Sequence, residues 1–181
     1  MDHLESIVQL NNVISPYFIK KLIPYIKHKA NTNLEVRKGL IKDIRSVKGY
    51  HLNFKTPSNM FYWNYIKKEI ERLYFNYIVK FPKMQSDKIN QIDLLKYSSG
   101  DKYKAHTDHS SSTARHLSVI MNLNDDYEGG DLIFTDQKDN EIKRCQLGKG
   151  SIVFFPSNFM YPHGIQPITK KTRYSIVAWL Q

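Results

Sequence analysis

The sequence predicts an α+β fold that is mainly β, with a β core in residues 91–181 and helices from residues 1–90. Residues 91–181 break into eight or so short runs rich in β-formers, such as IDLLKY, LSVIMNL, DLIFT, SIVFFP and YSIVAWL. Turn signals separate them, among them SSGD, NDDYEGG and GKG. That spacing indicates an antiparallel sandwich or barrel. Residues 1–90 carry apolar side chains at helical period instead. No low-complexity linker separates the halves and no repeat is visible, so residues 1–181 read as one domain.

The elements follow in order. Ser15-Pro16 supplies an N-cap and a first helical residue, and Phe18, Ile19, Leu22, Ile23 and Ile26 follow on one face. Pro24 lacks an amide N–H, so a kink or early break is expected there. Residues 34–54 mix β-branched residues with Gly39 and Gly49, which indicates short strands. A second helix is expected over residues 58–81, with Ile66, Ile70, Leu73, Tyr77 and Phe81 on one face and the charged Lys67, Lys68, Glu69, Glu71 and Arg72 largely elsewhere.

Composition bounds the class. The 181 residues are 41% hydrophobic and 13% aromatic, enough for a sizeable core, which excludes wholesale disorder. A single cysteine, Cys145, excludes an internal disulfide framework and fits a reducing compartment. No secretory leader pattern and no apolar run of membrane-spanning length is seen, so a cytoplasmic setting without membrane association is expected. The net charge of +10 raises a nucleic-acid partner. However, 21 of the 27 basic residues are Lys, alongside 19 Ile and 13 Asn, a usage that A/T-rich codons favour. Residues 1–90 carry +9 of that charge and residues 91–181 only +1. The excess therefore lies mainly in the helical half, as a solvated lysine face.

The chemistry concentrates in the other half. In His106-Thr107-Asp108, residues two apart on a strand point to one face, so His106 and Asp108 can meet on one ion. His109 points away. His163 follows the strand SIVFFP and a short loop, which can return it to the same place. Two imidazoles and one carboxylate leave three adjacent positions open, the facial arrangement that suits non-haem Fe(II). Ten residues on, Arg173 begins an alternating strand whose first face is Arg173, Ser175, Val177 and Trp179. An arginine entering an apolar interior requires an anion, and its fork matches a carboxylate.

The segments LLKYSSGDKYKAHTDH, ARHLSVIMNLN, YEGGDLIF, GKGSIVFFP and PHGIQPITKKTRYSIVAW, spanning residues 94–179, resemble the Fe(II)/2-oxoglutarate-dependent dioxygenases of prolyl 4-hydroxylase type. Upstream, IRSVKGYHL is similar to the family's Arg-Ser segment ahead of its support helix. The resemblance implies a double-stranded β-helix, or jelly roll, with N-terminal support helices. It implies Fe(II) held by His106, Asp108 and His163, with 2-oxoglutarate as cosubstrate, O2 as oxidant and ascorbate as reductant. It places Arg173 on the distal carboxylate of 2-oxoglutarate, with Ser175, Tyr97 and Asn122 beside it. Asn122 departs from the Tyr or Thr of relatives. Arg115, Trp179 and Tyr103 fall at the substrate end. Beyond these ligands the implied chemistry requires no acid–base side chain, and the carboxylate of Asp108 points to hydroxylation over halogenation.

The activity implied is hydroxylation of an unactivated C–H, with release of succinate and CO2, on a prolyl residue of a peptide or protein. Lysyl residues and free amino acids stay open as substrates. Two other readings stand beside it: a nucleic-acid demethylase of the same superfamily, and a jelly-roll metal-binding module without turnover. The demethylase pattern includes a second arginine after the cosubstrate arginine, which TRYSIVAWLQ lacks. Residues 110–114 (SSSTA) and 38–54 are expected to cover the site.

Overall fold

The computed structural model describes residues 2–35, 41, 43–86 and 88–181. In chain order the elements are β1 (Val8–Leu10), α1 (Pro16–Lys29), β2 (Thr32–Asn33), β3 (Lys48–His51) and α2 (Pro57–Lys80). There follow β4 (Ile89–Tyr97), β5 (Tyr103–His106), β6 (Leu117–Asn122), β7 (Glu128–Gly129) and β8 (Leu132–Thr135). The chain ends with β9 (Glu141–Cys145), β10 (Ile152–Pro156), β11 (His163–Ile165), β12 (Ile168–Lys170) and β13 (Arg173–Leu180). A seven-stranded sheet runs β1-β10-β6-β13-β4-β3-β2 and a four-stranded sheet β5-β11-β8-β9, with every pair antiparallel. Strands distant in sequence lie side by side, as a jelly roll requires and a simple meander does not.

The large sheet separates two cores. On one face Ile92, Leu94, Val119, Phe154 and Ile176 pack under α1 and α2, against Leu22, Ile26, Ile66 and Ile70. On the other, Leu95, Ile120, Val153 and Phe155 meet Leu132, Phe134 and Ile165 of the small sheet. Both faces are covered, so β13 is buried along all eight residues. Strand alternation then sends Tyr174, Ile176, Ala178 and Leu180 to the helices, and Arg173, Ser175, Val177 and Trp179 between the sheets.

The helices match their sequence signals with two differences. Helix α2 starts at Pro57 because Thr56 caps it, its side chain accepting from the amide of Asn59. Helix α1 continues through Pro24 without a break. Pro24 lies on the exposed side, where water can solvate the carbonyl one turn back that loses its donor, while Leu22 and Ile26 anchor the helix on both sides. The first 90 residues also contribute strands at both ends of the large sheet. Val8–Leu10 pairs with Ile152–Phe154, and β3 pairs with β4. No described helix is long and apolar enough to cross a membrane.

Candidate active site

His106 ends β5, Asp108 lies in a bend just past it, and His163 opens β11, the strand paired with β5. The pairing sets His106 directly opposite His163. Asp108 thus reaches the site from a bend and not from strand alternation, because β5 stops two residues short of it. His106 Nε2 lies 3.4 Å from Asp108 Oδ1, and His163 Nε2 lies 3.4 Å from Asp108 Oδ2. One ligand atom from each of the three lies within 4.8 Å of the others.

The surroundings fix the ligands in metal-binding form. His106 Nδ1 meets the carbonyl of Lys104 at 3.0 Å, and His163 Nδ1 meets the carbonyl of Tyr161 at 3.1 Å. A carbonyl only accepts, so each Nδ1 carries the proton and each Nε2 turns a lone pair to the centre. Burial lowers the His106 pKa, with His163 adding to the effect, so the imidazole is kept neutral. For Asp108, burial pushes the carboxyl up, but the neighbouring His163 and His106 overcome it and hold the group well below the ordinary carboxylate range. Ser118 Oγ donates to Asp108 Oδ2 at 2.6 Å and is 2.8 Å from Ser157 Oγ. His109 is turned away, bonded through its backbone to Ser157 and through its ring to Arg115.

A cavity of about 270 Å³ extends from these residues between the sheets, lined along one wall by Arg173, Ser175, Val177 and Trp179. Arg173 is 1% exposed. Its Nε donates to Asn122 Oδ1 at 3.1 Å, while Nη2 and Ser175 Oγ are buried without a hydrogen-bond partner among the described residues. Nor does any described carboxylate form an ion pair with it. A buried cation left so costs several kcal/mol, about what a bound carboxylate would recover. The orphaned Nη2 and Ser175 hydroxyl therefore fit the distal carboxylate of 2-oxoglutarate, and the two Nε2 atoms with Asp108 fit a divalent iron. Gly130 allows Arg173 this position: a Cβ there would lie 2.3 Å from Ile168 Cδ1 and 3.3 Å from Arg173 Cδ, and its φ of +70° suits glycine.

The other expected residues fall around this axis. Tyr97 lines the cavity, with the Arg173 guanidinium 5.5 Å from its ring centre. Tyr103 stacks on His106 at 3.7 Å, and its hydroxyl, desolvated by burial, is pushed up to about 12. Arg115 lies over Trp179 at 3.6 Å, and both line the cavity. Asn122 stands behind Arg173, because its Nδ2 is drawn to the carbonyls of Asn124 and Leu147, each at 2.7 Å. Of the expected covers, residues 38–40 and 42 lie outside the described residues, while residues 110 and 113 form an isolated bridge. The sequence reading missed Gln91 and Asp93, which line the same cavity, while Arg45 and His51, from the expected cover 38–54, line it as well. A signal existed: in QIDLLKY, Gln91 and Asp93 share alternation with Tyr97.

Residues 92–181 match the 2OG-Fe(II) oxygenase superfamily. The chain belongs to this superfamily. The superfamily uses Fe(II), 2-oxoglutarate and O2, and His106, Asp108 and His163 could hold the iron. A PKHD-type hydroxylase of Idiomarina loihiensis is 28% identical over 116 residues, 62% of this oxygenase and 51% of the relative. This chain thus spans about half of that curated relative's length. Among solved structures, a prolyl hydroxylase from Trichoplax adhaerens in complex with a hypoxia inducible factor peptide fragment superposes with a TM-score of 0.80 at 16% identity. That match covers 99% of this chain and 86% of the other. A Pseudomonas putida prolyl-4-hydroxylase gives 0.74 at 18%, covering 99% and 96%. These likenesses establish the jelly-roll fold.

Proposed function

We propose that this oxygenase hydroxylates a prolyl residue of a peptide or protein, with His106, Asp108 and His163 as iron ligands and Arg173 as the cosubstrate anchor. The observation that carries it is the unpaired, buried Nη2 of Arg173, set with Ser175 Oγ in the same cavity as the ligand triad. When bound, iron and 2-oxoglutarate supply the oxidation: one oxygen atom of O2 enters the substrate C–H and the other leaves in succinate, with loss of CO2. The chain's own residues bind and orient. Asn122 holds Arg173, Tyr103 fixes the plane of His106, and Arg115 and Trp179 form the wall assigned to substrate.

The prolyl reading draws on the PKHD-type relative and on the neighbour bound to a peptide fragment. The one-domain reading rests on β1–β3, which extend the large sheet from within residues 1–90. The nucleic-acid reading is weakened by the charge distribution: α1, with four lysines and no acid, packs across the large sheet from the cavity. The deciding experiment has two arms. Anaerobic Fe(II) plus 2-oxoglutarate should give the weak visible charge-transfer band, and Asp108→Ala should lack it. Succinate release across proline-containing and proline-free peptides should then favour the former. Equal release from both panels would refute the prolyl assignment.

A further inference from the structure

Beside Trp179 the cavity wall carries a hydrogen-bonded chain that the iron and cosubstrate positions leave unused. The Arg115 guanidinium lies over the Trp179 ring, 3.6 Å from its centre, and its Nη2 donates to Gln91 Oε1 at 3.0 Å. Gln91 Nε2 donates to the two carboxylate oxygens of Asp93 at 3.0 and 3.1 Å. Asp93 is 2% exposed and also contacts Nδ1 of His51 at 2.6 Å. The chain therefore runs from an exposed histidine, through a buried carboxylate and an amide, to a stacked guanidinium.

Its direction is set by chemistry. A carboxylate only accepts and a guanidinium only donates, so an amide between them has one satisfied orientation: NH2 toward Asp93, oxygen toward Arg115. A neutral apolar residue at 93 would take the carboxylate away from the amide NH2, so that the hold of Gln91 on Arg115 weakens. The stack itself retains capacity: Arg115 Nε and Trp179 Nε1 are both buried without a partner among the described residues. Two unpaired N–H groups in a cavity wall call for an acceptor oxygen.

We infer that Asp93 and Gln91 are positioning residues that hold Arg115 against Trp179, so that this stack presents its free N–H donors to an acceptor oxygen of the substrate. The inference deepens the hydroxylase reading and rests on it for the identity of the substrate. It assigns substrate placement to two residues outside the metal motif, on strand β4, which pairs with β13.

The test uses Gln91→Met, which keeps the volume and removes the amide's hydrogen bonds to Arg115 and Asp93. With the proline-containing peptide that gives fastest succinate release, the peptide KM should rise about tenfold or more. The 2-oxoglutarate KM and the anaerobic Fe(II) band should stay near wild type, and succinate should exceed hydroxylated product. The double variant Gln91→Glu/Asp93→Asn keeps an acceptor for Arg115 at residue 91 and reverses the bond behind it, residue 93 now donating and residue 91 accepting, and should restore most of the loss. A second readout needs no cosubstrate: Trp179 emission in Gln91→Met should shift toward that of Arg115→Met and return in the double variant. Unchanged emission in Gln91→Met, or equal rises in both KM values, would overturn the inference. A wild-type protein without band or succinate would defeat the hydroxylase reading instead, and the emission series would still decide the positioning.

Discussion

Arg173 and Asn122, 51 residues apart in sequence, form a buried pair in which the guanidinium Nε donates to the amide oxygen across 3.1 Å. Asn122 in turn donates its Nδ2 to the carbonyls of Asn124 and Leu147 and takes a second donor, Tyr127 Oη, at 3.3 Å on Oδ1. The arginine is thus held from behind by a side chain that is itself tied to two loops. Its Nη2 is the part left to meet a ligand.

Removing the support should weaken the anchor without removing it. Asn122→Ala leaves Nε unpaired in a buried place, a cost of roughly 1–3 kcal/mol. The expected outcome is a 2-oxoglutarate KM raised about tenfold, with kcat at saturating cosubstrate little changed. Titration of the anaerobic Fe(II) band with 2-oxoglutarate checks this directly, and an unchanged midpoint would show that Arg173 orients itself.

Changing the anchor should do more. Arg173→Met removes the charge proposed to meet the distal carboxylate and should lower 2-oxoglutarate affinity about a hundredfold or more. Arg173→Lys keeps the charge but loses the fork, and Asn122 loses its Nε donor, so it should fall between the two. In the absence of cosubstrate, Arg173→Met should unfold at a higher temperature than wild type, because an unpaired buried cation has been deleted. Thermal melts of the three proteins without ligand separate this from general damage.

The sequence made much of this legible wherever local period determined it. The alternation of RYSIVAWL placed Arg173, Ser175, Val177 and Trp179 on one face, and those four line the cavity. Helix α2 could be read from the spacing of Ile66, Ile70 and Leu73, all buried. What stayed hidden depends on pairing across long separations. Nothing in VQL near the start announces that Val8 lies opposite Phe154. Likewise Gln91 and Asp93 read as polar residues near a strand end, until β3 brings His51 opposite Asp93 and Arg115 folds over Trp179. The bend at Asp108 was equally invisible, because two residues of strand and two of bend can aim a side chain alike.

Acid should destabilise the metal-free protein in a defined window. Burial and His163 lower the pKa of folded His106 below the 6.5 of the unfolded chain. Below pH 6.5 the unfolded state binds a proton that the folded state refuses, so stability is full above that value and falls as pH drops toward the folded pKa. The slope is up to about 1.4 kcal/mol per pH unit for one such group. Asp108, depressed by its histidines against the pull of burial, keeps its contribution until pH falls below its ordinary 3.8. Denaturant melts from pH 7.5 to 5 should show the decline, and His106→Asn should flatten it. An identical slope in that variant would place the proton elsewhere.

Ser118 offers the last test, because it touches the metal site through Asp108 alone. Its hydroxyl donates to Oδ2 at 2.6 Å while Ser157 Oγ stands 2.8 Å behind it, and Ser118 itself is fully buried. The bond turns the carboxylate so that Oδ1 faces His106 and Oδ2 faces His163. Ser118→Ala deletes that restraint with the smallest change in volume, and support of this kind is worth about ten- to a hundredfold in metal affinity. Fe(II) binding, or Co(II) binding as an air-stable probe, should weaken by that factor. The affinity of the metal-loaded protein for 2-oxoglutarate should move far less, since Arg173 and Ser175 are untouched. Ser118→Thr, which keeps the hydroxyl, should recover metal affinity wherever the buried site admits the extra methyl. If Ser118→Ala binds metal as the wild type does, the histidines alone fix the geometry of Asp108.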